Sequence, residues 1–140
     1  MPLKAHENIL VFYKKLPLYN PQMRAGFKPY TCKRGKGTSN YNKHISVVST
    51  SNGECYPIDI LEFAYDKQKL HPTQKPVALL EYLIKTYTNE GATVLDNCMG
   101  SGSTCVACIN TNRNYIGFEL NENYFNITKE RIRTYETKRN

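Results

Sequence analysis

The chain has 140 residues, enough for one domain at most or part of one, and its 40% hydrophobic content permits a core. No apolar run is long enough to span a membrane, and the amino-terminal "MPLKAHENILVFYKK" lacks the basic, apolar and small-residue order of an export signal, so a cytoplasmic protein is expected. The formal charge of +7 lies in the first third: residues 1–50 carry nine Lys/Arg against one acid, Glu7, a net of +8, and the remainder nets −1.

In chain order, "ENILVFYKK" (Glu7–Lys15) is β-branched and aromatic, and residues 1–15 are expected to bring one strand to a sheet. Residues 16–62 have another texture, rich in Pro, Gly, Asn, Ser, Lys and Tyr. "KRGKGTSNYNKH" has neither a period of 2 nor one of 3.6, so it reads as loop, and "CYPIDILEF" (Cys55–Phe63) is compatible with a short strand. A basic segment joined to a near-neutral domain suits a polyanion, and a solvated basic loop is the plainer alternative.

Order returns in residues 63–140. Pro76 suits a first helical position, and Val77, Leu80, Leu83, Ile84 and Tyr87 share one helical face that stops near Gly91. A strand follows at Ala92–Asp96, then a turn with Gly100 and Gly102, then a helix from about Ser103 to Thr111. "NYIGFEL" (Asn114–Leu120) reads as a second strand, and Asn121 can cap a last helix to about Tyr135. This order predicts an α/β fold with parallel strands and a ligand at their carboxyl ends.

The five cysteines are odd in number, which argues against a disulfide framework. Cys105 and Cys108 form a single C-x-x-C with no second ligand pair in view. Their spacing inside a helix suits two small core thiols.

The turn after Asp96 narrows the ligand. Gly100 and Gly102 allow close backbone approach, and Glu119, ending the next strand, occupies the place that bonds ribose hydroxyls in such folds. A ribose-bearing ligand is expected. A P-loop would need a lysine in the turn, and a dinucleotide fingerprint would need glycine where Cys105 stands. S-adenosylmethionine also uses a glycine turn and a strand-end acid, and it has no pyrophosphate.

"HPTQKP", then "VLDNCMGSGST", then "YIGFELNENYF" together resemble the carboxyl-terminal half of an amino-group (N6-adenine or N4-cytosine) DNA methyltransferase, of the permuted class whose cofactor motifs follow its catalytic motif. The three motifs cover residues 71–126, and "AHENILVFYKK" resembles a late strand of the family. Asn97 and Cys98 stand where the family usually has Pro and Phe, which loosens the wall beside the cofactor. The resemblance implies a partial Rossmann-like methyltransferase fold and S-adenosyl-L-methionine as cofactor. It places His71, Thr73 and Lys75 near the methionine end. Asp96, Gly100, Ser101, Gly102, Ser103 and Thr104 would form the cofactor turn, Glu119 would take the ribose hydroxyls, and Leu120 and Tyr124 would flank the adenine. It also makes residues 16–62 a target-recognition region for double-stranded DNA, with Lys28, Lys33, Arg34, Lys36 and Lys43 as its contacts. Each position has a structural reading too: His71–Pro76 as a turn and helix start, Asp96 as a cap of its own turn, Glu119 as a solvated strand end.

One family element is missing. The Asp/Asn/Ser-Pro-Pro-aromatic motif that orients the target amine is absent, since none of the seven prolines are adjacent. "NPQM" (Asn20–Met23) comes nearest. In the permuted class this motif lies upstream, so the chain reads as a carboxyl-terminal part: a fragment, half of a split enzyme, or a decayed gene. It is expected to be catalytically incomplete alone, and to self-associate or need an amino-terminal catalytic partner. The competing readings are a non-catalytic nucleic-acid-binding subunit that retains the cofactor fold and, behind it, a piece of a nucleotide-dependent oxidoreductase.

Overall fold

The structure is a computed structural model in which residues 6–34 and 47–139 are described. Two units are visible. The first is an antiparallel hairpin of β1 (Tyr30–Arg34) and β2 (Val47–Ser51), paired from Tyr30 opposite Ser51 to Arg34 opposite Val47. The second contains α1 (Val77–Tyr87), β3 (Thr93–Asp96), α2 (Ser103–Asn110), β4 (Asn114–Gly117) and α3 (Glu122–Arg139).

The second unit is the α/β arrangement that the periodicity predicts. Strands β3 and β4 pair in parallel, in register from Thr93 opposite Asn114 to Asp96 opposite Gly117. Helix α2 is the crossover between them. Val77 and Ile84 of α1 pack on Val106, Ala107 and Cys108 of α2, and Val94, Tyr115 and Tyr135 close the cluster. Cys105 and Cys108 are buried here, and burial pushes both thiols up to about 11. They are packing residues, as their helical spacing suggested.

The element ends follow from identifiable bonds. Pro76 gives α1 no side-chain cap, and Asp66 substitutes from a distance: its carboxylate accepts the Val77 N–H at 3.2 Å. At the other end of α1, the Asn20 side-chain amide donates to the carbonyls of Lys85 and Thr88 at 3.2 and 3.3 Å, and Arg113 donates to Thr88 O at 2.7 Å. Asn121 caps α3 as expected, accepting the N–H groups of Asn123 and Tyr124.

Two expectations are corrected. Residues 7–15 form no strand: none of the described residues pairs with them in a ladder, and their apolar side chains are exposed, Phe12 by 87%. Of the stretch read as loop, Lys33 and Arg34 end β1 and the rest lies outside the described residues; the β1–β2 pairing flanks it, "VVSTS" being β-branched enough to pair with "YTCKR". Cys55–Phe63 contributes only an isolated bridge from Cys55 to Arg24.

Among the described residues β3 and β4 form a two-stranded sheet, so each has an outer edge with no strand beside it. Val94 and Tyr115 face the helices. Their neighbours Leu95 and Ile116, which oppose each other in the ladder, are 63% and 50% exposed on the other face. Unpaired edges and bare apolar surface are therefore both present among the described residues.

Candidate functional site

The site grows from the carboxyl ends of β3 and β4. Beyond the ladder, the Phe118 N–H donates to Asp96 O, and the Met99 N–H donates back to Phe118 O, each at 2.9 Å. This ends β4 at Gly117 and draws the glycine turn over the strand ends. Gly117 permits the closure: a Cβ there would lie 2.3 Å from the Met99 sulfur.

Gly100 and Gly102 both have positive φ, +54° and +74°, a region that side chains with a Cβ rarely adopt. Gly102 also touches α3, where a Cβ would meet Thr128 Cγ2 at 2.5 Å. Asp96 caps the turn from within, accepting from Cys98 N–H at 3.1 Å and from Thr104 Oγ1 at 2.5 Å. Its structural reading is thus realised.

The bond that joins the two strand ends is Gly100 N–H to Glu119 Oε2, at 2.9 Å. The other oxygen, Oε1, accepts the Asn121 N–H at 2.8 Å. The Glu119 carboxyl is held below its ordinary value, chiefly by the Asn121 N–H. Partial desolvation opposes this, and the Gly100 N–H and nearby His71 reinforce it. Glu119 is therefore an ionised acceptor at neutral pH.

His71 lies over the same turn. A Cβ on Gly100 would sit 3.5 Å from its ring, and the ring meets Tyr124 edge-on with centroids 4.2 Å apart. Nδ1 of His71 accepts the Thr73 N–H at 3.2 Å and lies 3.1 Å from Thr73 Oγ1. The structure thus brings His71, Thr73, Gly100, Glu119 and Tyr124 into one cluster. Leu120, next to it, is fully exposed.

Other expected residues stand behind this cluster or apart from it. Ser101 Oγ bonds Gln74 at 3.1 Å, and Arg131 donates to Ser103 Oγ at 3.1 Å, so these hydroxyls support the turn from within the protein. Lys75 pairs with Glu7 at 2.6 Å on the surface. Of the residues expected to touch DNA, Lys28 and Lys33 are exposed. Arg34 ends β1, and its side chain lies outside the description. Lys36 and Lys43 lie outside the described residues.

Sequence reasoning missed five supporting residues: Asp66, Gln74, Gly117, Thr128 and Arg131. Gln74 lies inside the quoted "HPTQKP". Tyr124, Thr128, Arg131 and Tyr135 follow a helical stripe on α3, a signal hidden because its middle members are polar. Asp66 has no local signature.

Four amides of the turn are engaged within the chain. The N–H groups of Cys98, Met99, Gly100 and Gly102 all donate to acceptors inside the chain. A phosphate cradle requires such groups to point at the ligand. A carboxylate has about four lone-pair positions, and each Glu119 oxygen accepts one of these N–H bonds, which leaves capacity for hydroxyl donors.

Comparison with known proteins fixes the family. The DNA methylase family of N6 and N4 enzymes matches residues 2–130. This chain belongs to that family. It is 31% identical over 132 residues to the type II methyltransferase M.HpaI of Haemophilus parainfluenzae, covering 91% of this chain and 38% of M.HpaI. It is 42% identical over 97 residues to the type II methyltransferase M.HindIII of Haemophilus influenzae, covering 69% of this chain and 27% of M.HindIII. A crystal structure of the M1.HpyAVI–SAM complex is 46% identical, covers 52% of this chain and 36% of that one, and superposes with a TM-score of 0.48. The chain thus spans well under half the length of these relatives. No helix among the described residues is long and apolar enough to cross a membrane.

Proposed function

We propose that this chain carries the S-adenosylmethionine site, and part of the DNA-contacting surface, of a methyltransferase that modifies an exocyclic amine of adenine or cytosine. The observation that carries the reading is the Glu119–Gly100 bond across the ends of two parallel strands, at the mouth of the glycine turn. When bound, S-adenosylmethionine supplies the electrophilic methyl group. The chain's own residues bind and orient. Glu119 accepts from the ribose hydroxyls, Tyr124 and Leu120 border the adenine, and His71 with Thr73 and Lys75 borders the methionine end. Asp96, Ser101, Ser103 and Thr104 keep Gly100 and Gly102 in place.

The motif order, with "HPTQKP" before the glycine turn and "FEL" after it, supports the permuted class, whose amine-orienting motif precedes them. "NPQM" does not substitute for that motif: it lacks the second proline and the aromatic residue, and the Asn20 Nδ2 bonds hold that side chain against the end of α1. Without acceptors that aim the amine's lone pair at the methyl group, bound cofactor alone gives no productive geometry. The 140-residue chain is thus a cofactor-holding part that needs a second segment or partner for turnover. Lys28 and Lys33, with the basic stretch that follows, offer phosphate contacts to duplex DNA.

Calorimetry with S-adenosylmethionine, S-adenosylhomocysteine and NAD tests the cofactor reading. The first two should bind and NAD should not. Glu119→Ala should weaken binding by about 1–3 kcal/mol, the cost of leaving hydroxyls unpaired. Binding of NAD alone would sink the reading. A radiolabel-transfer assay on unmethylated DNA should show no turnover by the isolated chain, and robust turnover by a purified monomer would mean that it holds an amine site of its own.

A further inference from the structure

Helix α3 reaches the glycine turn at two places one helical turn apart. Thr128 Oγ1, in a residue only 1% exposed, donates to Gly100 O at 2.8 Å. Arg131 Nη1 donates to the next carbonyl, Ser101 O, at 3.0 Å, and to Ser103 Oγ at 3.1 Å. The other arm of the fork, Nη2, lies 3.3 Å from Asp66 Oδ2. The Arg131 side chain is only 10% exposed, and that of Asp66 24%.

Asp66 has further partners. Its Oδ1 accepts the first N–H of α1, and its Oδ2 accepts Gln74 Nε2 at 2.9 Å. Gln74 in turn receives Ser101 Oγ on its Oε1. The Arg131 guanidinium therefore closes a circuit through the turn, the "HPTQKP" segment, the start of α1 and α3. A lysine could not reproduce it, since one ammonium lacks the planar fork that serves two directions at once. Removing Arg131 would leave the carbonyl of Ser101 with one bond fewer and Asp66 without its counter-charge.

The stored geometry matters because of what the turn must do. With positive φ at two glycines, the turn gains little rigidity from its own backbone preferences. Its carbonyls are the handles by which the rest of the protein holds it. Gly100, whose carbonyl Thr128 takes, is the residue whose N–H meets Glu119.

We infer that Arg131, acting through Ser101, Ser103 and Asp66, is a positioning residue that sets the glycine turn so that Gly100 and Glu119 meet in ligand-competent register. The residue lies just past the stretch that the family match covers. The inference rests on the cofactor reading for its consequence, and on the bonds above for its mechanism.

The test uses the full chain with Arg131→Met and Arg131→Lys, below the melting temperature of each. Amide hydrogen exchange at Gly100 and Gly102 should be about tenfold or more faster in Arg131→Met than in the wild type, with the α1 amides of Leu83 and Ile84 unchanged. Affinity for S-adenosylmethionine should fall about tenfold, the scale of one charged hydrogen bond. Arg131→Lys should recover thermal stability more fully than cofactor affinity, because it restores charge without the fork. Unchanged exchange at the turn, or equal acceleration at the turn and in α1, would overturn the inference. If Arg131→Met fails to fold, the exchange pattern of Arg131→Lys decides by the same criterion. If the wild type does not bind S-adenosylmethionine, the cofactor reading fails, and exchange alone still judges the role of Arg131.

Discussion

The glycine turn and the basic segment are built from similar residues and put them to opposite uses. Around the turn, Ser101, Ser103 and Thr128 are buried, and the Arg131 guanidinium is spent on Ser101, Ser103 and Asp66. No buried side-chain nitrogen or oxygen among the described residues lacks a partner. In the hairpin, Thr31, Lys33, Ser49 and Thr50 are exposed on both faces of a two-stranded ribbon. Such a ribbon has marginal stability alone, because neither face is buried. The contrast teaches that a cation's job here follows from its surroundings. Arg131 is committed to the fold, while Lys28 and Lys33 remain available to a partner.

The comparison breaks most readily at the glycines. Gly102→Ala combines a left-handed backbone with a 2.5 Å clash against Thr128, and should cost about 3 kcal/mol by the usual sum of strain and overpacking. Gly26→Ala, at φ +93° with nothing within 4 Å, carries the backbone strain alone and should cost about 1–2 kcal/mol. Urea unfolding of both variants measures the difference. Equal losses would mean that the turn is no more tightly packed than the basic segment.

Thiol labelling sharpens the contrast next. With their thiols raised to about 11 from 9.0, Cys105 and Cys108 hold about a hundredfold less thiolate at pH 8 than unperturbed cysteines, before any shielding by burial. Iodoacetamide should therefore modify the exposed Cys32 and Cys98 first. Peptide mapping over a time course checks the order, and early modification of Cys108 would contradict the packed core.

A pH titration isolates Glu119. Its folded carboxyl sits below the ordinary 4.5, so its contribution to stability is fully present above that value and is lost as pH falls through the lower folded value. Wild type and Glu119→Gln should differ most in melting temperature near neutrality and converge in acid. A difference that stays flat down to the acid end would show that the bonds from Asn121 and Gly100 do not depend on charge.

The smallest expected effect on the fold lies in the lysines. Lys28→Ala and Lys33→Ala should each change stability by less than about 0.5 kcal/mol, as surface substitutions do. Together they should reduce the salt dependence of DNA binding by about two units of slope, one per lost phosphate contact. An unchanged slope would leave them as solvating residues of a loop.

Much of the turn region was legible because its signals are local. The apolar face of α1, the Asp96 strand end, the two glycines and the Asn121 cap each act within a few residues of themselves. The hairpin was less legible: "VVSTS" carries a β-branched signal, but its partner "YTCKR" is separated from it by a polar stretch without periodicity. Residues 7–15 misled for a related reason, since β-branched composition does not make a strand without a neighbour. The Asp66–Gln74–Arg131 circuit was not legible at all. Its members are 65 residues apart at the extremes, and they meet only after α3 docks on α2.

The parallel pairing of β3 with β4 also bears on the order of folding. Thr93 lies opposite Asn114, only 21 residues later, and the interval contains the helix that packs on the pair. Loop closure over so short a separation is inexpensive, and contacts local in sequence form fast. The amino-terminal half emerges first from the ribosome, yet its Asn20 anchor waits for carbonyls 65 and 68 residues downstream. Pulse-labelled hydrogen exchange during refolding should protect the backbone amides of Asn114 and Phe118, which donate to Ala92 and Asp96, before that of Asn20, so that the segment synthesised first is secured last.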